Sequence, residues 1–493
     1  MDIEEAKRRA KAGPAILMIR RGFAIAVAFV STITIARLVA PRAYGLANMS
    51  VVIFAFAAIF RDFGLTNAIL RKGHISQSEL SLIFWFNAAM TALLTVIVAL
   101  ASPFVANFYH EPIVQWVILV SLIGFLASGM TMQHRAIINR DLRFTALSVV
   151  DTIASIAGLL ITITLAYQWR NVWAIVFGTV SQSIISSIFY LWLSKWKPDK
   201  PRKSEELSSL LKFGGNSSVY SISVFLSQNI SSILIGHFFG SSLLGQFNRA
   251  QALLNLPVTN LIQPITQAAL PLMARLRSVP EEYRAAYLAL TRRLCIFLMP
   301  LAIALTLASV PLTVALLGEK WRSAGYILMA LAPNLGIMGL VYAVGDLFVT
   351  QDRSAELRNL GLIELVIRVG SICIGLTYGV VGAAAAYSFG TTIVGFLRMY
   401  VVGRRGPVST KDQFKQILPA LPLVLGASIG GLLAWQTADF TAAATATLIL
   451  GASALSAFAV GIWFRGTRSA LVELAEVFSL HKLLKLNAIS RRF

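Results

Sequence analysis

Long apolar runs separated by short charged links organise this chain. They fall at 17–39, 44–60, 80–108, 113–133, 147–167, 171–193, 211–237, 243–275, 289–317, 324–350, 357–377, 380–402, 416–436 and 440–464. A hydrocarbon layer ~30 Å thick takes roughly 20 apolar residues in a helix, and each run has about that length. Runs such as Ile83 to Leu100 are apolar on nearly all sides, which argues against the strict alternation of a transmembrane β-barrel. The pattern predicts an all-α integral membrane protein of about fourteen spans. Twelve remain if the last pair is not counted.

Composition agrees: 57% of residues are hydrophobic, 13% are charged and mean hydropathy is +0.72, where soluble domains carry about 25% charged residues. The placement of charge adds more. Of the 43 Lys and Arg, 36 fall on the side that holds both termini, 5 on the opposite side and 2, Arg249 and Arg368, within spans. Cationic residues stay on the cytoplasmic face, so the termini are expected to be cytoplasmic. The net charge of +21 then reflects membrane orientation. Nucleic acid is not an expected partner, because no basic stripe with interleaved aromatics and no zinc spacing is present. Links on the opposite face are very short, as at Tyr109 to Pro112 and Tyr378 to Gly379, and leave no room for a folded outer domain.

The charged, proline-bearing link from Lys195 to Lys212 divides the chain. The expected organisation is an N-lobe of six spans (1–203), a C-lobe of six (204–410), a further pair (411–464) and a basic amphipathic cytoplasmic tail (465–493). A weak internal similarity supports two pseudo-repeated lobes. The segments 36–47 and 236–247 lie 200 residues apart, each joins the first and second spans of its lobe, and Gly45 matches Gly245. A glycine in a short turn is common, so this similarity is poor evidence alone. Six spans followed by six is nevertheless a frequent transporter plan, with the site between the halves.

Polar groups at membrane depth are costly and normally face a cavity or another helix. In the eighth span Asn248, Gln251, Asn255, Thr259, Gln263 and Thr266 recur every three or four residues, with Arg249 beside them. Pro257, Pro264 and Pro271 each remove a backbone donor, so this helix is expected to bend. Ser217, Ser221, Gln228 and Ser231 or Ser232 form a second stripe in the seventh span. The two stripes read as lining a water-filled cavity or as interhelical hydrogen-bonding groups. Asp346 stands in the tenth span without an obvious local partner, as an ion-coupling candidate. Glu364 and Arg368 are four residues apart and are expected to pair. Arg20 and Arg21 lie at the cytoplasmic mouth of the first span, whereas Arg61 and Asp62 are assigned to a cytoplasmic link. Gly382, Ala386 and Gly390 predict close helix packing. Cys295 and Cys373 read as small core residues. The five histidines form no metal spacing, no phosphate-binding loop is present, and no cofactor or catalytic residue is expected. The first run carries no evident cleavage site and is not read as a cleaved leader.

Fourteen spans in two halves, the opening Arg20-Arg21-Gly22-Phe23 and the turn at 36–45 resemble the Wzx-type polysaccharide flippases. These belong to the multidrug/oligosaccharidyl-lipid/polysaccharide exporter superfamily. The runs at 61–72 and 247–251 resemble its exopolysaccharide branch, serving polymers such as colanic acid and succinoglycan. The resemblance implies a fold like that of MATE antiporters and lipid II flippases, a bacterial inner-membrane location and a cationic central cavity. The implied substrate is an undecaprenyl-pyrophosphate-linked oligosaccharide, with polymerase and chain-length or export proteins as pathway partners. Arg249 matches a cavity arginine by position, with Arg20 or Arg21 as further candidates. Gln228, Gln251, Asn255 and Gln263 would meet the sugar, while Asp346, Glu364 and Arg368 would couple ions or hold structure. A drug/cation antiporter and a polysaccharide polymerase are the alternatives.

Overall fold

The structure, a computed structural model, describes residues 29–62, 76–141, 143–200, 206–351, 353–436, 441–464, 466–468 and 471. They are nearly all helical. The helices are α1 (Phe29–Leu38), α2 (Pro41–Asp62), α3 (Gln77–Tyr109), α4 (Ile113–Arg140), α5 (Phe144–Trp169), α6 (Val172–Ser194), α7 (Glu206–Pro257), α8 (Gln263–Leu276), α9 (Pro280–Leu317), α10 (Arg322–Leu331), α11 (Pro333–Val341), α12 (Val344–Thr350), α13 (Ser354–Leu376), α14 (Gly379–Gly403), α15 (Thr410–Lys415), α16 (Leu421–Gln436) and α17 (Ala442–Trp463). Among the described residues eleven helices are long and apolar enough to cross a membrane. The pair Glu319–Leu331 and Pro333–Phe348, bent by 40°, makes a twelfth.

The seventh apolar run and the first part of the eighth, expected as separate spans, form one 52-residue helix, α7. At about 1.5 Å per residue it would be roughly 78 Å long, more than twice the hydrocarbon thickness. The backbone is not helical at Gly240 (φ 77°, ψ 179°), so α7 is two rods meeting at a glycine. The first predicted span is described only from Phe29, and most of the predicted amphipathic tail lies outside the described residues.

Exposed side chains are apolar where a soluble protein would be polar: Leu100, Phe104, Val366 and Leu455 are among the most exposed. This is what a hydrocarbon solvent selects. Exposed tryptophans gather at helix ends, as at Trp116, Trp169 and Trp435, where an amphipathic ring suits the membrane interface. Cys295 is buried, but Cys373 is exposed on α13, a correction to its reading as a core residue.

The chain forms two compact units: Met1–Phe225 with Gly240–Gly245, and Leu226–Phe239 with Gln246–Phe493. In the first, α3 starts at a reciprocal cap. Ser76 Oγ accepts from the Glu79 N–H at 3.2 Å while the Glu79 carboxylate accepts from the Ser76 N–H at 2.7 Å, satisfying two orphan donors. The link after α3 carries Glu111, which accepts from Arg42 Nη2 at 2.8 Å and from Ser241 Oγ at 2.6 Å. Desolvation pushes the Glu111 carboxyl up, but the hydrogen bonds from Arg42 and Ser241 and the charge of Arg42 outweigh it and hold it below the usual carboxylate value.

The two glycines of the weak repeat meet in this same unit. A Cβ on Gly45 would lie 1.7 Å from the Ser241 carbonyl oxygen, and one on Gly245 would lie 2.0 Å from the Pro41 carbonyl oxygen. Each glycine therefore packs on the backbone four residues before the other, and the contact is reciprocal across the 200-residue offset.

In the second unit α13 and α14 approach through the predicted small-residue stripe. A Cβ on Gly390 would lie 2.7 Å from Ser371 Oγ, and one on Gly375 would lie 2.5 Å from the Ala386 Cβ.

Candidate substrate-binding site

The polar helix of the second unit is interrupted among its prolines. α7 ends at Pro257, a π turn covers Val258–Ile262, and α8 continues from Gln263. Pro257 and Pro264, on either side of this turn, supply no backbone N–H. Thr259 Oγ1 donates to the Asn255 carbonyl at 3.0 Å and Asn260 Nδ2 to the Leu256 carbonyl at 2.9 Å, so side chains engage carbonyls of this turn. Such single π turns interrupt helices frequently at functional sites.

The turn also resets the polar stripe. Asn255, Thr259, Gln263 and Gln267 stand four residues apart and all four are exposed. Thr266, predicted as the last member, is buried and bonds back to the Ile262 and Gln263 carbonyls at 3.2 and 3.1 Å. The extra residue of a π turn shifts register by one, which replaces Thr266 with Gln267. The signal for Gln267 was its spacing from Gln263. Gln251 and Arg249 are half-buried at the start of the stripe.

Gln228 is exposed, whereas Ser231 and Ser232 are buried. Ser232 Oγ donates to Asn248 Oδ1 at 3.2 Å, joining the two predicted stripes. Of their members, the side chains of Ser217 and Ser221 lie outside the described residues, as do Arg20 and Arg21. Gln263 and the Tyr342 hydroxyl are neighbours, and Asp346 lies near both Tyr342 and Tyr287. Two candidates far apart in sequence, Gln263 and Asp346, thus share one cluster.

Glu364 does not pair with Arg368. Its carboxylate, only 4% exposed, is gripped by Arg398 of α14 through Nε and through Nη2 at 2.6 Å. A neighbouring helix offers the planar fork that binds a carboxylate at two points, which outcompetes an i,i+4 contact along one helix surface. Arg368 instead lies 6.0 Å from the Tyr387 ring centroid.

Sequence reasoning misplaced Arg61. It forms the last turn of α2 and enters a cavity of about 380 Å³ within the first unit, between α2, α4 and α6. Its Nη1 donates to Ser128 Oγ at 2.9 Å and to the Phe125 carbonyl at 3.3 Å, and the guanidinium lies 4.6 Å from the Phe125 ring centroid. Hydroxyls of Ser50, Ser121, Thr179 and Ser183 share the lining. A position next to an apolar run reads as a link, and only the packing of three helices reveals the cavity.

These features define a multi-span helical membrane protein. The fold is similar to that of the lipid II flippase MurJ in an inward closed conformation, with a TM-score of 0.70, 15% identity, and coverage of 94% of this chain and 98% of that one. The model of a polysaccharide biosynthesis protein family matches residues 34–325, more than half of the chain, and the chain belongs to that family. It is 25% identical over 324 residues to the lipopolysaccharide biosynthesis protein WzxC of Escherichia coli, covering 65% of each chain. It is also 20% identical over 311 residues to the succinoglycan biosynthesis transport protein ExoT of Rhizobium meliloti, covering 63% of each. The matches thus span just under two thirds of the length of these relatives.

Proposed function

We propose that this protein flips undecaprenyl-pyrophosphate-linked oligosaccharide repeat units across the bacterial inner membrane by alternating access, for assembly of exopolysaccharide or another surface polysaccharide. In this reading fourteen spans form two six-helix lobes (1–203 and 204–410) and a final pair (411–464), and both termini, including the basic tail at 465–493, are cytoplasmic. The single observation that carries it is the run of four exposed polar side chains, Asn255, Thr259, Gln263 and Gln267, on a helix interrupted by a π turn beyond Arg249. Amide and hydroxyl groups are too costly to leave against hydrocarbon, so this face borders water and a polar cargo. The biosynthetic family and the transport name of one relative supply the cargo class.

Each residue then has a task. Arg249 binds the pyrophosphate through charge-assisted hydrogen bonds, which a guanidinium makes in parallel pairs. Arg20 and Arg21 add positive charge from the first span. Gln228, Gln251, Asn255 and Gln263 hydrogen-bond sugar hydroxyls without demanding one sugar. Arg61, amid serine and threonine hydroxyls, is a second cationic point in the first unit. Asp346, in the neighbourhood of Tyr342 and Gln263, is the ion-coupling group. Glu364 serves structure through Arg398. No covalent bond is made, so the protein works without a cofactor and is not an enzyme. Polymerase and chain-length or export proteins act on what it delivers.

The test is a deletion strain carrying wild type, Arg249→Ala or Arg61→Ala, scored for secreted polymer and for the leaflet holding the lipid-linked repeat. Losing hydrogen bonds to a charged group costs about 1.5–3 kcal/mol, so Arg249→Ala should lower export roughly 10- to 100-fold at unchanged membrane level. Repeat units reaching the outer face unjoined in the deletion strain would indicate a polymerase. Unchanged polymer with altered drug efflux would indicate an antiporter.

A further inference from the structure

The second unit holds a groove of about 630 Å³ away from the polar stripe, between α9, α10, α16 and α17. Its volume is that of a typical small-ligand site. The rim is formed by Arg322, Tyr326 and Trp435, and the walls include Leu307, Val314, Met329 and Leu432. From Val314 near the end of α9, the seven residues back to Leu307 descend roughly 10 Å, most of one hydrocarbon leaflet, whose depth is half of ~30 Å. The groove thus runs from an interfacial mouth into a single leaflet. Trp435, 60% exposed, and Tyr326, 44% exposed, sit at that mouth with a polar tip on an apolar ring, as interfacial aromatics do.

Arg322 on the rim is paired with Glu319, which stands beside the groove. Arg322 donates from Nε to Glu319 Oε1 at 2.5 Å and from Nη2 to Glu319 Oε2 at 3.1 Å. These bonds use two of the five guanidinium N–H groups. Tyr326 takes a further bond from Arg322; the donors left over are available to a phosphate, and Glu319 offers an acceptor to an ammonium group. The link that bears the pair is held in place from below: Gln246 Nε2 donates to the Lys320 carbonyl at 2.7 Å, and its Oε1 accepts from the Ala324 N–H at 2.9 Å.

We infer that this groove is a binding site for a zwitterionic glycerophospholipid of the surrounding bilayer. One acyl chain lies along Leu307, Met329 and Leu432, the phosphodiester rests on Arg322, and the ammonium faces Glu319. A phospholipid with an anionic head brings no cation for Glu319 and is the poorer fit. This site is separate from the polar stripe and does not depend on the transport reading.

Native mass spectrometry of the full chain, released from nanodiscs of equal phosphatidylethanolamine and phosphatidylglycerol, tests it. One retained phosphatidylethanolamine per protein is expected. Arg322→Ala should lower its occupancy about tenfold, and Met329→Trp, which fills the groove with a bulky ring, should do so independently of charge. Melting temperature confirms that each variant is folded. Equal or preferred retention of phosphatidylglycerol, a polyprenyl-linked lipid as the retained species, or occupancy unchanged in both variants would each overturn the assignment.

Discussion

The reciprocal contact of Gly45 and Gly245 leads to a sharp prediction. In Gly45→Ala the added Cβ would meet the Ser241 carbonyl oxygen at 1.7 Å, its carbon at 2.5 Å and the Ser241 Cα at 2.9 Å, all backbone atoms. No rotamer change relieves this. To restore a 3.0 Å approach, the Ser241 carbonyl must retreat from 1.7 Å, by 1.3 Å or more. The same retreat pulls on the 2.6 Å hydrogen bond from Ser241 Oγ to Glu111. Overpacking of this kind costs about 1–3 kcal/mol, and a lost bond to a charged acceptor adds about 1.5–3 kcal/mol. The combined loss, roughly 2.5–6 kcal/mol, should lower the melting temperature of purified protein by about 5–24 °C, taking ~2–4 °C per kcal/mol for a unit of this size. Ser241→Gly should not rescue it, because the clash is with backbone. Gly451→Ala is the control: nothing lies within 4 Å of its Cβ, and a helical glycine replaced by alanine should gain ~0.5–1 kcal/mol. Wild-type stability in Gly45→Ala would refute the close approach.

Two further outcomes follow from charge. Arg398→Ala leaves the buried Glu364 carboxylate uncompensated and should cost about 3–5 kcal/mol; Glu364→Gln in the same chain should restore most of it, whereas Arg368→Ala alone should be mild. Thermal unfolding of the three variants decides this, and equal losses for Arg368→Ala and Arg398→Ala would reject the observed pairing. For Glu111 the folded carboxyl titrates below its ordinary 4.5, so its stabilising contribution is complete at neutral pH and disappears as pH falls through that lowered value. The melting-temperature gap between wild type and Glu111→Gln should be constant from pH 8 to pH 6 and narrow only below 4.5; a gap that widens on acidification would contradict the sign.

Much was legible in the sequence because crossing hydrocarbon is a local property. Each window of about 20 residues pays its own transfer free energy, so the apolar runs, their links and the helical fold could be read one window at a time. The prolines near residue 260 and the small residues of α14 were equally local signals, and the structure contains a π-turn interruption at the first and close packing at the second. The turn motifs that carried the family resemblance were likewise contiguous.

The rest depends on which helices become neighbours, which no window contains. Arg398 reaches Glu364 across 34 positions because α13 and α14 pack side by side, so a bidentate fork replaces the partner four residues away. Arg61 looks like part of a link until α4 and α6 enclose it. Gln263 meets Tyr342 and the neighbourhood of Asp346 only through tertiary packing, and the shift from Thr266 to Gln267 follows from a π turn that three prolines suggest but do not place. Gly45 and Gly245 were a weak coincidence of spacing in the sequence. Only the fold, by setting each on the other's helix start with no room for a methyl group, gives them a physical role.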